Sequence, residues 1–121
     1  MCGFAGFVGE VEDREQVLVN MMNTIVHRGP DSEGRYVDED AALGFRRLSI
    51  IDLSPVGDQP LYNEDRSMVL VFNGEIYNYQ DLRKDLVEAG HLFVSNTDSE
   101  TLLHGYEEWG ENLVDRLRGM Y

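Results

Sequence analysis

The chain has 121 residues, of which 42% are hydrophobic and 27% are charged, as in an ordinary globular domain. Its 23 acidic and 10 basic side chains give a net charge of −13, which argues against nucleic acid or an anionic membrane as a partner. No stretch approaches the ~20 apolar residues of a membrane span, and the opening lacks the basic region of a secretory signal. The single cysteine excludes an internal disulfide and indicates a reducing cytoplasm.

In the first half of the chain, the residue pattern predicts one helix and several strands. The apolar residues of CGFAGFVG predict a short buried strand at the N-terminus. A helix follows, which Asp13 is predicted to cap together with Gln16, and which a Gly-Pro pair is predicted to stop. Its apolar positions recur at helical spacing: Val17, Leu18, Met21, Met22 and Ile25. Strands are predicted at 42–52 and 68–72, on either side of a polar stretch that contains prolines.

The second half of the chain is predicted to be mainly helical. Asn78 and Asp98 stand where they would cap a second and a third helix, with a brief strand at 92–94 between them. A fourth helix is predicted around Leu113 and is closed by Gly119. The order β-α-β-β-α-β-α-α predicts an α/β or α+β domain in which helices cover a sheet.

Cys2 stands directly behind the initiator Met1. Removal of Met1 is expected because Cys is small, and it would leave a thiol and a free α-amine on one residue. Both groups titrate near neutral pH, so Cys2 could supply a nucleophile and its base, as N-terminal threonine nucleophiles do. The alternatives are a chance second residue or a buried cysteine that packs as a small hydrophobe. Position alone favours these alternatives.

Two further polar segments allow more than one interpretation. HRGPDSEG, from His27 to Gly34, resembles a helix stop followed by a turn, which explains its glycine and proline but not its histidine and arginine. Arg46 and Arg47 lie in the otherwise apolar run FRRLSIID. A strand arginine usually points to solvent or pairs with a carboxylate, whereas beside a ligand pocket its planar fork binds a substrate carboxylate.

The segment FNGEIYN contains the pair Asn73-Gly74, which is typical of a hairpin turn. An amide side chain and an open backbone N–H at a strand end are also the donors that build an oxyanion hole for acyl transfer. Glu75 adds a carboxylate beside them. Asp98, in NTDSE, is sufficiently explained as a helix cap, although a ligand ammonium group could use the same carboxylate.

In their order and intervals, the N-terminal cysteine and the motifs HRGPDSEG, RRLSIID, FNGEIYN and TDSE resemble the class II glutamine amidotransferase domains, which are N-terminal-nucleophile hydrolases. The likeness is greatest to the amino-terminal half of glutamine-dependent asparagine synthetases and extends to the final LRGMY. It implies an α+β fold, an α-β-β-α sandwich that is incomplete because the chain stops at Tyr121. Residues 1–121 would then be a partial amidotransferase domain without the ATP-dependent synthetase domain.

The resemblance implies a mechanism for the catalytic residues. Cys2 would attack the side-chain amide of glutamine, release ammonia and leave a glutamyl thioester that water hydrolyses, with its own α-amine as the base. Asn73 and the backbone N–H of Gly74 match the oxyanion hole. The mechanism carries a condition, because an α-amine locked in a peptide bond to Met1 could not act as the base.

The resemblance also assigns the residues that bind glutamine. Arg47 matches the arginine that holds the α-carboxylate, and Glu75 and Asp98 match the carboxylates that hold the α-ammonium. Leu48 and Ile50 match positions that contribute backbone contacts. One cation for the α-carboxylate of the substrate and two anions for its α-ammonium group fit a zwitterionic amino acid.

No cofactor is expected in this domain, and ATP and Mg²⁺ are expected only in the missing synthetase domain. The expected partners are L-glutamine and the ammonia-accepting synthetase domain, in the cytoplasm, and a homodimer is left open. A metal site is not expected, because the three histidines stand far apart in the sequence and far from Cys2.

Three alternatives remain open at this point. The same fold could serve a different acceptor, such as a sugar acid in polysaccharide assembly. The chain could instead be an inactive module that binds glutamine or a partner. A Cys–His dyad hydrolase is the third alternative, with His27, His91 or His104 as the base.

Overall fold

The computed structural model describes residues 2–49 and 54–121, which contain both helices and sheets. The strands are β1 (Gly3–Val8), β2 (Ser32–Val37), β3 (Ala41–Arg47), β4 (Leu61–Tyr62), β5 (Val69–Leu70), β6 (Glu75–Ile76) and β7 (Gly119–Met120). The α-helices are α1 (Arg14–Thr24), α2 (Tyr79–Glu88) and α3 (Ser99–Trp109). This mixture confirms the predicted α+β class. Within the described residues, none of the helices has the length and apolar character to cross a membrane.

The chain divides into two compact units. The first unit comprises residues 2–49, 58–60 and 71–73, and the second comprises residues 54–57, 61–70 and 74–121. The first unit contains an antiparallel three-stranded sheet in the order β1-β3-β2, with Gly3 opposite Arg46 and Ser32 opposite Arg47. Because β3 is the central strand, its residues are the most buried of the three.

Helix α1 packs on β3 and forms the core of the first unit. Leu18 and Met22 are buried against Ala42, and Phe7 and Val37 pack around them. The predicted helical spacing is therefore confirmed for this face.

The predicted cap of α1 is wrong: Asp13 makes no side-chain capping hydrogen bond and has a left-handed backbone with φ of 51°. Gln16 bonds to Asn20 instead, at 3.0 Å. The α-helix also ends at Thr24, and a 3₁₀ turn at Val26–Arg28 continues to the Gly-Pro pair.

Two expectations for the sheet of the first unit need correction. The N-terminal strand exists as β1, but it is not buried, since Phe4 is 52% and Val8 is 82% exposed. The physical reason is the alternation of side chains along a strand: Phe4 and Val8 lie on one face of the sheet, whereas Phe7 lies on the other face and packs on the α1 core. Strand β2 was not expected, because SEGRYV has neither an apolar alternation nor a run of β-branched residues.

The second unit combines two short strand pairs with α2 and α3. Strand β4 pairs with β5, and β6 pairs with β7, both antiparallel. The predicted positions of α2 and α3 are confirmed. The buried apolar side chains of this unit lie on both helices and on the segments around them: Leu61, Ile76, Leu82, Leu86, Leu103, Leu113 and Leu117.

Local expectations for the second unit are partly wrong. Asn78 makes no capping hydrogen bond; its side chain bonds to the main chain of Arg116 and Arg118, at 2.9 and 2.8 Å. Residues 92–94 form no strand. The predicted fourth helix is a 3₁₀ helix at Gly110–Arg116. Gly119 belongs to β7 rather than ending a helix.

Candidate active site

The thiol of Cys2 lies at the start of β1, beside the residue that follows the end of β3. The N–H of Leu48 donates to Sγ at 3.2 Å, and the thiol donates to the carbonyl oxygen of the same residue at 3.4 Å. Cys2 is half-buried and has no disulfide partner. The structure therefore brings together two residues that the sequence placed in one site. The thiol is only partly buried and makes polar contacts, which disfavours the alternative that Cys2 packs as a buried small hydrophobe.

The HRGPD segment contacts the main chain on both sides of this thiol. Arg28 donates from Nε to the carbonyl oxygen of Cys2 at 3.1 Å. Asp31 accepts from the N–H of Ser49 at 2.8 Å, and its own N–H donates to the carbonyl oxygen of Arg47 at 3.0 Å. Gly29 lies so close to β3 that a Cβ there would be 2.3 Å from the carbonyl of Arg46. The turn thus holds both the backbone of Cys2 and the end of β3, which a simple helix stop would not require.

Arg47 is buried at the end of β3 and pairs with Asp58. The same carboxylate oxygen accepts a hydrogen bond from the hydroxyl of Ser32 at 3.0 Å. Arg47 thus adopts the carboxylate-paired arrangement that was the alternative to substrate binding. A buried guanidinium needs such a partner, because an unpaired charge in this position would be costly.

Asn73 is half-buried in the first unit, at the end of a short segment that is fixed by a side chain. The amide of Gln59 accepts from the N–H of Phe72 at 2.6 Å and donates to its carbonyl oxygen at 3.1 Å. This paired contact holds the residue just before Asn73. Between Asn73 and Cys2 the described residues contain no hydrogen bond.

The hairpin interpretation of Asn73-Gly74 is wrong. A hairpin would pair the strands on either side of the turn, which are β5 and β6. Instead β5 pairs with β4, and β6 pairs with β7. The Asn-Gly pair therefore has no hairpin to close, which removes the structural explanation that competed with a role in the site.

Glu75 and Asp98 lie next to each other in the second unit. Asp98 is buried, and its Oδ2 accepts a hydrogen bond from the N–H of Ile76 at 2.7 Å. Glu75, the residue before Ile76, is exposed. Asp98 makes no side-chain cap on α3, contrary to its simplest interpretation. The two carboxylates predicted to bind an ammonium group are thus brought together, and Gly74 precedes them directly.

Burial raises the pKa of Asp98, and the negative charge of Glu75 raises it further, while the hydrogen bond from Ile76 opposes both. A buried carboxylate beside a second negative charge is stabilised by a cation. An ammonium group bound here would lower the pKa of Asp98 again. The electrostatics of this pair therefore suit a cationic ligand group.

The histidines do not support a Cys–His dyad. His27 is exposed on the 3₁₀ turn of the first unit. In the second unit, the ring nitrogens of His91 and His104 lie beside glutamates. Both hydrogen bonds recorded for the Cys2 thiol go to the main chain of Leu48. Ile50, which was predicted to contribute a backbone contact, lies outside the described residues.

Sequence reasoning missed Asp58 as the partner of Arg47. Asp58 could have been sought, because an arginine in an apolar strand requires a carboxylate partner. With 23 acidic residues in the chain, however, no local signal selects Asp58. Arg28 and Asp31 were noted as part of a motif, but their main-chain partners are distant in sequence.

The family follows from a comparison of the whole chain with known proteins. A sequence model of the glutamine amidotransferase domain matches residues 1–121. The chain belongs to the glutamine amidotransferase domain family. The matched range includes the Cys2–Leu48 contact of the first unit and the Glu75–Asp98 pair of the second.

Curated relatives of this amidotransferase domain are asparagine synthetases. The chain is 45% identical to glutamine-hydrolyzing asparagine synthetase 1 of Bacillus subtilis (strain 168), over 100% of the chain and 20% of the relative. It is 43% identical to glutamine-hydrolyzing asparagine synthetase of Zea mays, over 100% of the chain and 21% of the relative. It is 41% identical to glutamine-hydrolyzing asparagine synthetase 3 of Arabidopsis thaliana, over 100% of the chain and 21% of the relative. The chain thus spans about a fifth of the length of these relatives.

Proposed function

We propose that this chain is the glutamine-hydrolysing part of an asparagine-synthetase-type enzyme. The observation that carries the proposal is the half-buried Cys2 thiol held by the main chain of Leu48, in a chain that matches the amidotransferase family throughout. The glutamine-hydrolyzing names of the relatives favour asparagine synthesis over a different acceptor for the ammonia.

The proposed reaction begins when the Cys2 α-amine, freed by loss of Met1, accepts the proton of the thiol. The sulfur attacks the amide carbon of glutamine, and the negative charge that forms on oxygen is stabilised by Asn73 and the Gly74 N–H. The proton passes to the leaving nitrogen, ammonia departs, and a thioester remains. Water then hydrolyses the thioester to glutamate and the free thiol.

Arg47, Glu75 and Asp98 are proposed to recognise the ends of glutamine. The guanidinium of Arg47 has five N–H donors in a planar fork, so a substrate carboxylate would bind it beside Asp58. Asp98 and Glu75 would hold the α-ammonium, whose charge offsets the cost of burying Asp98. Leu48, which already contacts the thiol, is proposed to contribute backbone contacts, and the same role is proposed for Ile50.

The complete fold is proposed to be an α-β-β-α sandwich of the N-terminal-nucleophile type, of which residues 1–121 form part. In the full-length protein, a synthetase domain that uses ATP and Mg²⁺ would receive the ammonia. The relatives support this because they are about five times as long as the chain. A cytoplasmic location is proposed from the single free cysteine.

Covalent labelling tests the proposal. A diazo ketone analogue of glutamine should form a thioether with Cys2, with loss of N₂, in full-length protein whose chain begins at Cys2. Excess L-glutamine should suppress the adduct, and intact mass with peptide mapping measures both. The matched control is the same protein with Met1 retained, in which adduct formation should be strongly slowed.

A simple alkylating reagent distinguishes recognition from thiol exposure. Iodoacetamide carries no glutamine-like group and should therefore modify Cys2 both in the chain that begins at Cys2 and in the chain that retains Met1. If the diazo ketone leaves Cys2 unmodified, or labels it equally with and without glutamine, the proposed function is wrong and an inactive module is favoured.

Glutamine binding is expected to weaken in acid because of Asp98. Burial raises the pKa of Asp98 above its usual 3.8, so its charge is lost at a higher pH than that of an exposed aspartate. The α-ammonium needs the ionised form, and KM for glutamine should therefore rise as the pH falls through the raised value. Asp98→Asn should raise KM about 10- to 100-fold at neutral pH, the equivalent of one charged hydrogen bond.

The exposed Asp81, in the first turn of α2, provides the matched control for this prediction. Asp81→Asn should leave both KM and its pH dependence unchanged, as measured by steady-state ammonia release. Equal KM values for the two variants would contradict the role assigned to Asp98.

A further inference from the structure

A second cluster of polar side chains lies in the second unit and takes no part in the proposed glutamine chemistry. Glu64, His91, His104 and Glu107 each offer one possible ligand atom, and these four atoms lie within 4.8 Å of one another. They come from the β4–β5 hairpin, the segment after α2, and α3. The absence of a metal site was expected because the histidines are far apart in sequence, but the His91 and His104 ring centroids are only 5.4 Å apart.

The spacing of the four atoms is close to that of a metal coordination sphere. Nδ1 of His104 lies 2.9 Å from Oε2 of Glu107 and 3.8 Å from Oε1 of Glu64. Nδ1 of His91 lies 3.6 Å from the same Glu107 oxygen. Ligands bound tetrahedrally to Zn²⁺ at about 2.0–2.1 Å are roughly 3.3–3.5 Å from one another. All four ligand atoms lie within 4.8 Å of one another, so the widest pair would have to close by about 1.4 Å to reach tetrahedral spacing around the ion.

The outer nitrogens of both histidines face further carboxylates. Nε2 of His91 lies 2.8 Å from Oε2 of Glu108, and Nε2 of His104 lies 3.4 Å from Oε1 of Glu100. A metal-bound histidine usually donates its other N–H to a carboxylate, which fixes the ring and directs the unprotonated nitrogen toward the metal. Both rings have this arrangement, with Nδ1 as the nitrogen that faces the cluster.

The two ligand carboxylates are also held in place. Asn63 donates from Nδ2 to Oε1 of Glu107 at 2.8 Å, which leaves Oε2 directed at the histidines. The N–H of Leu92 donates to Oε1 of Glu64 at 3.2 Å. His104 is 1% exposed, whereas Glu64 is exposed, so the cluster is anchored in the core and open to solvent at one side.

We propose that Glu64, His91, His104 and Glu107 bind a divalent transition metal ion of the Zn²⁺ class. Imidazole nitrogens and carboxylate oxygens are ligands of Zn²⁺, whereas Ca²⁺ and Mg²⁺ select oxygen. Two neutral histidines and two ionised glutamates balance the charge of the ion, and the chain's net charge of −13 favours cation binding. The ion would join three segments of the second unit and so stabilise it.

Without a metal, a proton could occupy the same place. His104 as an imidazolium would bridge Glu107 and Glu100 as an ion pair, and the contacts in the structure would be those of a salt-bridge network. The two possibilities differ in what they predict for added metal, because a purely ionic network gains nothing from Zn²⁺.

Metal binding to the full chain, stripped with a chelator and then freed of it, tests the proposal. Isothermal titration with Zn²⁺ should give one ion per chain. Thermal unfolding should shift to higher temperature with Zn²⁺ concentration, because the ion binds the folded state. Co²⁺ should bind at the same site and give the visible absorption bands of a tetrahedral nitrogen–oxygen complex.

Variants locate the site. Glu64→Gln and His91→Gln should each weaken Zn²⁺ binding at least 100-fold. Because the Glu64 side chain is exposed, the Glu64→Gln variant should keep its fold. Circular dichroism checks that the fold is kept. His27→Gln, at the exposed histidine of the first unit, and Cys2→Ala should bind as the unmodified chain does. No Zn²⁺ binding, or equal affinity in the Glu64 and Cys2 variants, would overturn the proposal without bearing on glutamine hydrolysis.

Discussion

Replacing Cys2 with alanine is expected to abolish ammonia release from glutamine in the full-length protein. Removal of a catalytic nucleophile costs on the order of 10⁶ in rate in well-studied hydrolases. The change is small in structural terms, because the Cys2 side chain is half-buried and, among the described residues, its sulfur hydrogen-bonds only to main-chain atoms of Leu48. The loss should therefore be chemical rather than structural.

The ammonia-dependent reaction provides the control for this variant. If the synthetase chemistry lies in another domain, added ammonia should support product formation at close to the unmodified rate. Ammonia release is measured with a coupled assay and product formation by chromatography. A Cys2→Ala variant that still hydrolyses glutamine would rule out the thioester mechanism.

The largest effect on stability is expected for Glu100→Gln. Glu100 is 2% exposed on α3 and accepts four hydrogen bonds: from the N–H of Val94 at 2.7 Å, the N–H and hydroxyl of Ser95 at 2.7 and 2.5 Å, and the ring of His104 at 3.4 Å. The amide side chain of the Glu100→Gln variant would replace one acceptor oxygen with an NH₂ donor that faces the N–H and O–H donors around it. Breaking a buried charged pair from one side costs about 3–5 kcal/mol of unfolding free energy.

Burial alone would raise the pKa of Glu100, but the hydrogen bonds from His104, Ser95 and Val94 outweigh it and hold the pKa below its usual value. The ionised form is therefore the one that the fold requires. Urea unfolding of the full chain at neutral pH, with a chelator present throughout, measures the loss. Glu88→Gln, at an exposed position of α2, is the matched control and should change stability by less than about 0.5 kcal/mol. A Glu100→Gln loss as small as this would contradict the argument.

The helices could be predicted from sequence because their signal is local. Leu18 and Met22 on α1, and Leu82 and Leu86 on α2, are buried as their spacing indicated. Strand β2 could not be predicted, since its pairing with β3 rather than its own composition makes it a strand. The apolar stretch at 92–94 fails as a strand for the converse reason: its main-chain N–H groups bond to glutamate side chains instead of a neighbouring strand.

In the candidate site, too, the local motifs could be predicted from the sequence and the long-range pairings could not. The order of the motifs was sufficient to select the family. The structure brings Cys2 to Leu48 and Glu75 to Asp98, and the roles assigned to these four residues stay predictions. The partners of these residues could not be predicted, because a pairing such as Arg47 with Asp58 joins positions that share no local pattern. Asp98 illustrates the point: its position before a helix suggested a cap, whereas the structure directs its carboxylate to Ile76.

The three-stranded sheet of the first unit bears on how separate copies of the chain behave in solution. Within the described residues, β1 and β2 each pair only with β3, so the sheet has two outer edges whose N–H and C=O groups could pair with strands of another molecule. Exposed Phe4 and Val8 on β1 add to this tendency. The net charge of −13 opposes it through repulsion between copies, which salt screens beyond about 8 Å at physiological ionic strength. The colloidal stability of the chain therefore rests on charge, and raising the salt concentration should promote aggregation along these edges.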